Sequence, residues 1–226
     1  MTKSIILLSG GLDSAVSLAY SRDKYNITLA LTFDYGQKAL FSEAEASKKL
    51  ADFYNVEHKL VQLPWLADIT QTALVSDEDV PDMPIEDLDN IELAEQTAKS
   101  VWVPNRNGLF VNIAACYADA FGYDHIIIGV NFEEATTFKD NSKEFIEAIN
   151  YSLGNSAANE VDVIAPLSNF GKEEIVRIGI ESGLPFEYLR SCYYSAEKHC
   201  GNCESCSRLK RALLANGRAD LIKLLF

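Results

Sequence analysis

The sequence has no apolar run long enough to cross a membrane. Its longest runs, IILL at residues 5–8 and HIIIGV at 125–130, fall far short of the roughly 20 residues that a membrane helix needs. The N-terminus also lacks the long apolar region and small-residue cleavage site of a secretory signal. We therefore expect a cytoplasmic protein with no membrane partner.

Positive charge is scarce. The chain has 20 Lys and Arg against 33 Asp and Glu, which gives a formal net charge of −13. Nucleic-acid binders usually carry a basic face, so DNA or RNA is not an expected partner. The scarcity is sharpest at residues 60–98, which contain no Lys, Arg or His but ten acidic residues. We interpret this acidic run as a solvated insertion.

Internal repeats and low-complexity tracts are also missing, and hydrophobic residues make up 48% of the chain, as in an ordinary globular protein. Short apolar segments alternate with longer segments of helical period, the pattern of parallel βαβ units. We predict an α/β fold built on an open, doubly wound parallel sheet. The predicted strands are 3–8, 27–33, 57–62, 124–130 and 161–165, and the predicted helices are 15–25, 41–54, 109–122, 142–153, one that ends at Gly183, and 204–215.

Prolines and acidic residues interrupt this alternation at about 64–104. We expect this segment to lie over the carboxyl edge of the sheet, where α/β proteins bind ligands. The resulting division is a main domain at 1–185, which carries the insertion, and a small C-terminal element at 186–226 that holds a cysteine cluster.

Two common nucleotide-binding motifs, G-x-x-x-x-G-K-[ST] and G-x-G-x-x-G, are absent. The segment SGGLDS at 9–14 instead follows a predicted strand and precedes a helix. Amides at a helix N-terminus attract anions, and the hydroxyls of Ser9 and Ser14 can add donors. Asp13 can help to hold Mg²⁺ or cap the helix. The simpler alternative is a strand-to-helix turn with an Asp or Ser cap.

This segment resembles the PP-loop of the ATP pyrophosphatase superfamily, whose members cut ATP between its α and β phosphates. The resemblance implies that residues 8–18 bind ATP, with Leu8, Ser9, Gly10, Gly11, Leu12, Asp13 and Ser14 at the phosphates. The second strand ends in LTFDYGQ, 31–37, and should adjoin this turn in a doubly wound sheet. Phe33, Tyr35 and Gln37 are therefore candidates to flank the adenine or ribose.

Four of the five cysteines have the spacing C-x₇-C-x₂-C-x₂-C. Four thiolates at this spacing suit one tetrahedral Zn²⁺ with a structural role. An iron–sulfur cluster or a redox pair of cysteines are the alternatives. We predict that Cys116 is a core residue and that His199 is not a ligand. The predicted metal ligands are Cys192, Cys200, Cys203 and Cys206.

In their order along the chain, several motifs are similar to those of the 7-cyano-7-deazaguanine synthases. They are SGGLDS, FDYGQ, VPNRN at 103–107, GVN at 129–131, GKEE at 171–174 and CY…CGNCESC. The resemblance covers nearly the whole chain except 64–100. It implies an ATP-dependent ligase that adenylates 7-carboxy-7-deazaguanine, replaces AMP with ammonia, and dehydrates the amide to a nitrile with a second ATP.

The resemblance also implies ATP, Mg²⁺ and a structural Zn²⁺ as cofactors, and a homodimer. It assigns Arg106 and Asn107 to the substrate or the phosphates and Lys172 to the phosphates. A guanidinium suits this chemistry because it can bind acyl and phosphate oxygens with two parallel hydrogen bonds. Ser9, Asp13, Ser14, Arg106 and Lys172 are the candidate catalytic residues, and Gly129 and Asp140 also belong to the candidate nucleotide site.

One stretch departs from the family pattern. After GVN the family shows an Asp and then Ser-Gly-Tyr-Pro-Asp-Cys-Arg, whereas this chain has FEEATTFKDNSKEF. Glu134 stands at the first Asp, Asp140 is retained, and Asn141 and Ser142 replace Cys-Arg. An Arg at this position could pair with a substrate carboxylate, whereas Ser142 cannot. The substrate pocket of this chain can therefore differ from that of the family.

Three alternatives follow from this departure and from the wider superfamily. A relative of the synthases could pass the activated deazaguanine acid to another amine, such as a protein N-terminus in a bacterial defence system. PP-loop tRNA thiolases use C-x-x-C pairs in catalysis, but the charge of −13 and the four-thiolate cluster argue against that activity. The last alternative is a nucleotide-binding module without catalytic activity.

Overall fold

The computed structural model describes residues 2–226. Five parallel strands form one sheet in the order β3-β2-β1-β4-β5, which confirms the predicted doubly wound fold. The chain first adds β2 and β3 on one side of β1, and later adds β4 and β5 on the other side of β1. The strands are β1 (Lys3–Leu7), β2 (Asn26–Asp34), β3 (Glu57–Gln62), β4 (His125–Ile127) and β5 (Asp162–Ile164).

The central strand supplies both halves of the core because alternate side chains of a strand point to opposite faces. Ile5 and Leu7 pack on one face, and Ile6 packs on the other. The first layer includes α5 (Arg106–Phe121), α7 (Lys143–Leu153) and the insertion. The second includes α1 (Leu12–Ser21), α2 (Leu40–Phe53), α8 (Lys172–Glu181), α9 (Glu204–Ala215) and α10 (Ala219–Leu225).

Element boundaries differ from the predicted ones in several places. The first helix begins at Leu12, directly after the glycine pair, and ends at Ser21 rather than at 25. Strands β4 and β5 have only three residues each in the sheet, shorter than 124–130 and 161–165. The short helix α6 (Phe132–Ala135) and the helix α10 were not predicted. Among residues 2–226, no helix is long and apolar enough to span a bilayer.

The interpretation of the acidic run as a solvated insertion is only partly correct. Nine of its ten acidic side chains are exposed, but the segment also folds into α3 (Pro64–Ile69) and α4 (Ile91–Ser100). Apolar residues between the acids enter the core, where Leu66, Leu74 and Val101 are at most 5% exposed. Leu74 and Val101 also line a cavity at the carboxyl ends of β1 and β2, which we call the main cavity because it contains the glycine turn. The insertion therefore lies over the carboxyl ends of the strands as expected.

The insertion is bonded directly to the cysteine-containing loop. Asp82 pairs with Cys203 in an isolated antiparallel bridge, and the Met83 amide donates to the Asn202 carbonyl at 2.8 Å. The amide of Val80 donates to the Tyr194 hydroxyl at 2.8 Å. These bonds join two parts of the chain that lie more than 100 residues apart.

Candidate active site

The PP-loop turn connects β1 to α1, and its first glycine is required by backbone geometry. Gly10 has φ of +79°, a left-handed conformation that side chains with a Cβ rarely adopt. A Cβ on Gly10 would also lie 2.7 Å from the Cβ of Ala46. Gly11 does not use the left-handed region, because its backbone is extended at φ of −73°.

The two serines of the turn bond to each other and to the turn backbone. The Ser9 amide donates to Ser14 Oγ at 3.2 Å, and the Ser14 hydroxyl donates to the Gly11 carbonyl at 3.1 Å. The Gly11 amide donates to Ser9 Oγ at 3.3 Å. Both hydroxyls are thereby held at the N-terminus of α1, where the helix amides and dipole favour an anion.

Gly129 follows β4 and lies directly beside this turn. A Cβ added at Gly129 would be 2.6 Å from the Ser14 amide nitrogen, so only glycine lets the two backbones approach this closely. Two residues later, the fully buried Asn131 donates from Nδ2 to Asp13 Oδ2 at 3.1 Å. Its Oδ1 accepts the Glu134 amide at 2.9 Å. The GVN motif therefore fixes the position of the Asp13 carboxylate.

A buried ionic triad lies next to the PP-loop. Lys172 Nζ is 2.6 Å from Asp13 Oδ2 and 2.6 Å from Glu134 Oε1. Burial opposes the ammonium charge, but the two carboxylates outweigh it and raise the pKa of Lys172. Burial raises the pKa of Asp13, whose Oδ1 has no hydrogen-bond partner among residues 2–226. For Glu134, the Lys172 ammonium outweighs burial and lowers the pKa.

A second polar group lies at the end of β2 and the start of α5. The Gln37 side chain donates to the Phe33 carbonyl at 2.9 Å and to Glu43 Oε2 at 2.8 Å, so it fixes the Glu43 carboxylate. Burial raises the pKa of Glu43. Arg106 is near Tyr35 and Glu43 but has no carboxylate oxygen within 4.0 Å in the described part of the chain. Its guanidinium is therefore available to an anionic ligand.

Aromatic side chains form one wall of the cavity beside these polar groups. The rings of Phe33 and Phe110 are stacked, with centroids 4.0 Å apart and planes 8° apart. Tyr35 packs against Phe110 at 5.8 Å, and burial raises the pKa of Tyr35, which keeps its hydroxyl neutral. Such a wall suits a planar heterocycle.

Most of the predicted site residues converge on one cavity of about 230 Å³. Gly10 and Asp140 do not line it. Gly10 instead shapes the turn, and the Asp140 carbonyl accepts from the Asn107 side chain at 3.0 Å. The predicted residues that line the cavity are Leu8, Ser9, Gly11, Leu12, Asp13, Ser14, Phe33, Tyr35, Gln37, Arg106, Asn107, Gly129 and Lys172.

Several cavity residues were not predicted. Among them, Arg208 Nη2 is 2.8 Å from Glu204 Oε1, and its Nη1 is 3.3 Å from Glu133 Oε2. The basic residues of the last predicted helix indicated that it could bind an anion. The sequence did not indicate which face of this helix, and so which of its basic residues, would line the cavity. The unpredicted lining residues include Glu43, Arg190, Ser191, Tyr193, Glu204 and Arg208.

The altered segment after GVN has a local explanation at Ser142. The Ser142 hydroxyl accepts the Phe145 amide at 3.1 Å and caps the N-terminus of α7, a role that Arg cannot fill. Ser142 does not line the main cavity, whereas the buried Asn141 does. The departure from the family pattern therefore reaches the cavity through Glu134 and Asn141 and not through Ser142.

The four predicted cysteines form one cluster, in which all sulfur atoms lie within 4.8 Å of one another. The sulfurs of Cys200 and Cys206 are 3.7 Å apart, close to the roughly 3.8 Å expected between ligands of a tetrahedral site with Zn–S of ~2.3 Å. Two backbone amides donate to Cys192 Sγ, at 3.3 and 3.4 Å, which stabilises a thiolate. The cluster therefore fits a closed metal site.

Two further sequence expectations concern residues outside this cluster. His199 does not belong to the group of four cysteines. Its ring instead accepts the Ser191 amide at Nε2, 3.0 Å away. The expectation that Cys116 is a core residue is wrong. Cys116 lies on the solvent-facing side of α5, because the helix turns its neighbours Ala114 and Ala115 toward the sheet.

Comparison with solved structures supports the fold. An NMN synthetase from Francisella tularensis aligns with a TM-score of 0.50 and 16% identity over 99% of this chain and 82% of its own. A 4-thiouridine synthetase, solved as an RNA complex with bound ATP, gives a TM-score of 0.50 and 22% identity over 99% of this chain and 52% of its own. At these identities the likeness concerns the fold alone.

Sequence comparison is more specific. A 7-cyano-7-deazaguanine synthase from Carboxydothermus hydrogenoformans is 49% identical over 213 residues, which cover 94% of this chain and 98% of the relative. The enzyme of that name from Methanosarcina mazei is 46% identical over 222 residues, 96% of each chain. A family model described as queuosine biosynthesis protein QueC matches residues 3–217. The chain therefore belongs to the QueC family, and the resemblance predicted from its motifs is confirmed.

Proposed function

We propose that this chain is an ATP-dependent ligase that converts 7-carboxy-7-deazaguanine and ammonia to 7-cyano-7-deazaguanine. The observation that carries the proposal is the cavity itself, which joins a PP-loop turn to an aromatic wall and to Arg106, an arginine with no carboxylate partner among residues 2–226. The relatives at 46% and 49% identity carry the name of this activity. Those names do not favour a protein-conjugating enzyme or a tRNA thiolase.

In the first half of the reaction, a carboxylate oxygen of the substrate attacks the α-phosphorus of ATP and pyrophosphate leaves. Ammonia then attacks the acyl carbon, AMP leaves, and a proton is released with the amide. In the second half, the amide oxygen attacks the α-phosphorus of a second ATP, pyrophosphate leaves, and loss of AMP and of both protons on the amide nitrogen gives the nitrile. The protein must therefore stabilise charge on a departing pyrophosphate twice.

The residues of the turn fit the first of these tasks. Ser9 and the amides at the start of α1 are placed to donate to the pyrophosphate, since an anion at a helix N-terminus meets several N–H groups. The Ser14 hydroxyl donates to the Gly11 carbonyl and thereby holds the shape of the turn. Arg106 lines the same cavity and is proposed to bind the substrate carboxylate with two parallel hydrogen bonds and hold it for attack. Lys172 keeps two buried carboxylates neutralised beside the phosphates.

The charges of the cavity support a divalent cation. Its lining includes four cationic side chains, Arg106, Lys172, Arg190 and Arg208, and four acidic ones, Asp13, Glu43, Glu134 and Glu204. The charges of these eight side chains cancel one another. A bound triphosphate and substrate carboxylate would therefore leave the cavity with an excess of negative charge. Asp13 Oδ1, buried and without a partner among residues 2–226, fits an oxygen ligand for Mg²⁺. Bound Mg²⁺ would neutralise phosphate charge.

The cysteine cluster is proposed to hold Zn²⁺ in a structural role. Four thiolates leave no open coordination position, which suits Zn²⁺ as a support for the fold and not as a reactant. We also propose a homodimer. Exposed apolar side chains on the edge strand β3 and on α3, Leu60, Trp65 and Ile69, support an association surface there. Size-exclusion chromatography with light scattering measures the oligomeric state.

The test of the function is a product assay. The protein is incubated with 7-carboxy-7-deazaguanine, ATP, Mg²⁺ and ammonium, and products are analysed by mass spectrometry. We expect the nitrile with two AMP formed per nitrile, and no product when ammonium is left out. Formation of AMP without amide or nitrile would point to a different amine acceptor and would overturn the proposal.

A further inference from the structure

Residues 190–191, far from the PP-loop in sequence, contact it directly. The Leu12 amide, at the first position of α1, donates to Ser191 Oγ at 3.2 Å. The neighbouring Arg190 amide donates to the Gly10 carbonyl at 2.8 Å. The turn that is proposed to hold pyrophosphate therefore has a side built from the C-terminal part of the chain.

The hydroxyl of Ser191 is free to donate to a ligand. Its oxygen accepts the Leu12 amide, so its own proton points elsewhere, and no acceptor for it lies within residues 2–226. Ser191 also lines the main cavity, together with Gly11 and Leu12. A free hydroxyl donor beside a helix N-terminus adds one more hydrogen bond for an anion placed there.

The segment between the first two cysteines positions Ser191. The Ser191 amide donates to His199 Nε2 at 3.0 Å, and the other ring nitrogen of His199 is 3.0 Å from the Leu225 carbonyl. His199 is 4% exposed, so water does not compete for these bonds. Cys192 follows Ser191 and Cys200 follows His199, so the cysteine cluster anchors both partners of this hydrogen bond.

Arg190 strengthens the same connection. Its guanidinium donates to the carbonyl oxygens of Glu197 at 3.2 Å and Lys198 at 3.0 Å, and also to that of Ala196. The loop between Cys192 and Cys200 is thus folded around Arg190, whose amide is bonded to the PP-loop. An arginine that satisfies several carbonyls of one loop holds that loop in a single conformation.

We propose that Ser191 is a further phosphate-binding residue of the nucleotide site, and that His199, held by the cysteine cluster, is its positioning residue. The inference rests on the proposed function in taking the anion at the turn to be a nucleotide phosphate. It makes the cysteine cluster a part of ATP binding as well as of folding. A purely structural alternative is that Ser191 only caps α1, since Gly11 has no side chain to do so.

The test measures binding of α,β-methylene ATP, an analogue that cannot be cleaved between its α and β phosphates. Wild type, Ser191→Ala and the control Ser195→Ala are titrated by calorimetry with Mg²⁺, and bound metal is measured for each. Ser195 lies in the same loop but bonds to the Ser42 amide, outside the turn. We expect about tenfold weaker binding for Ser191→Ala and a change of less than about twofold for Ser195→Ala, at unchanged metal content.

A double-mutant cycle tests the positioning role. His199→Phe keeps a ring to pack on Phe226, 5.0 Å away, but removes the acceptor for the Ser191 amide. It should weaken binding of the analogue in wild type and have no further effect in Ser191→Ala. Additive effects of the two substitutions would overturn the positioning role, and metal loss in His199→Phe would do the same.

Two other outcomes would overturn the phosphate-binding role. One is wild-type affinity for the analogue in Ser191→Ala. The other is weaker binding that accompanies loss of metal or a lower urea midpoint, which would show that Ser191 acts through the fold. Because the readout is binding of an ATP analogue, it does not depend on which acid is activated. If wild type makes the nitrile but Ser191→Ala binds normally, this inference fails and the proposed function stands.

Discussion

Lys172 Nζ lies 2.6 Å from Asp13 Oδ2, although 159 positions separate the two residues along the chain. The contact joins the N-terminus of α8 to the PP-loop turn. Asp13 would otherwise be a buried carboxylate facing the proposed phosphate site. In the proposed function, the ion pair connects folding to nucleotide binding, because Lys172 neutralises buried carboxylates beside the phosphate site.

Replacing Lys172 by Met should destabilise the fold strongly. Two buried carboxylates, those of Asp13 and Glu134, would lose their cation, a change that costs on the order of 3–5 kcal/mol of unfolding free energy. Urea unfolding measures it. Lys48→Met is the matched control, since its pair with Asp52 is exposed and should contribute less than about 1 kcal/mol. Equal stability of the two variants would contradict the triad as described.

The contribution of Glu134 to stability should depend on pH. The Lys172 ammonium holds the pKa of Glu134 below its ordinary value of 4.5 in the folded protein. A lowered pKa stabilises the fold above the unfolded value and ceases to do so as pH falls through the folded value. The stability difference between wild type and Glu134→Gln should therefore be constant above about pH 5.5 and shrink below pH 4.5. A difference that grows on acidification would contradict this assignment.

Gly129→Ala should impair nucleotide binding. Its Cβ would lie 2.6 Å from the Ser14 amide nitrogen, so the backbone of the turn must move, at a cost of about 1–3 kcal/mol. We expect weaker binding of α,β-methylene ATP together with a lower urea midpoint. Gly154→Ala is the control, since its Cβ would have ordinary contacts at 3.5 Å. Normal analogue binding by Gly129→Ala would argue against the close approach of these backbones.

Arg106→Lys should lower kcat/KM for the deazaguanine acid by about a hundredfold, because lysine keeps the charge but loses the two parallel donors. Affinity for the ATP analogue should change by less than about threefold. Steady-state kinetics with the acid varied separate these quantities. Arg177→Lys, at an exposed ion pair with Glu181, is the matched control and should behave like wild type. A rise in the KM for ATP alone would instead assign Arg106 to the phosphates.

Removal of one thiolate should release the metal. Cys206→Ser is expected to lose the bound ion, at a cost in folding free energy that can reach about 10 kcal/mol for a structural zinc site. Elemental analysis should find one Zn²⁺ per chain in wild type. Cys116→Ser should retain it, since Cys116 is exposed on α5 and outside the cluster. Retention of stoichiometric metal by Cys206→Ser would exclude the four-cysteine site.

The sheet and the PP-loop could be predicted because their signals are local. Alternating apolar segments predicted all five strands, and SGGLDS between a strand and a helix predicted the turn. The cysteine cluster could be predicted equally well, since its four cysteines lie within fifteen residues of one another. In each case residues close in sequence carry the pattern.

The missed features depend on contacts between distant residues. Ser191 joins the site through a bond to an amide 179 positions away, and no local pattern predicts it. Glu43 lies on a helix whose acidic residues look alike in sequence, and only the fold turns this one into the cavity. Cys116 was assigned to the core because its neighbours are apolar. The helix turns by about 100° per residue, so Cys116 is exposed although Ala115 is buried. The helices α3 and α4 of the insertion were not predicted, because prolines and acidic residues interrupt the helical pattern of this segment.

The bonds between the insertion and the cysteine loop bear on how the protein is made. The Met83 amide pairs with the Asn202 carbonyl, and Asp82 pairs with Cys203, so these partners leave the ribosome more than a hundred residues apart. A nascent chain that already contains the first three strands still lacks Asn202 and Cys203, the residues that pair with Met83 and Asp82. This contact between the insertion and the cysteine loop must therefore form after synthesis is almost over, when the last helices emerge.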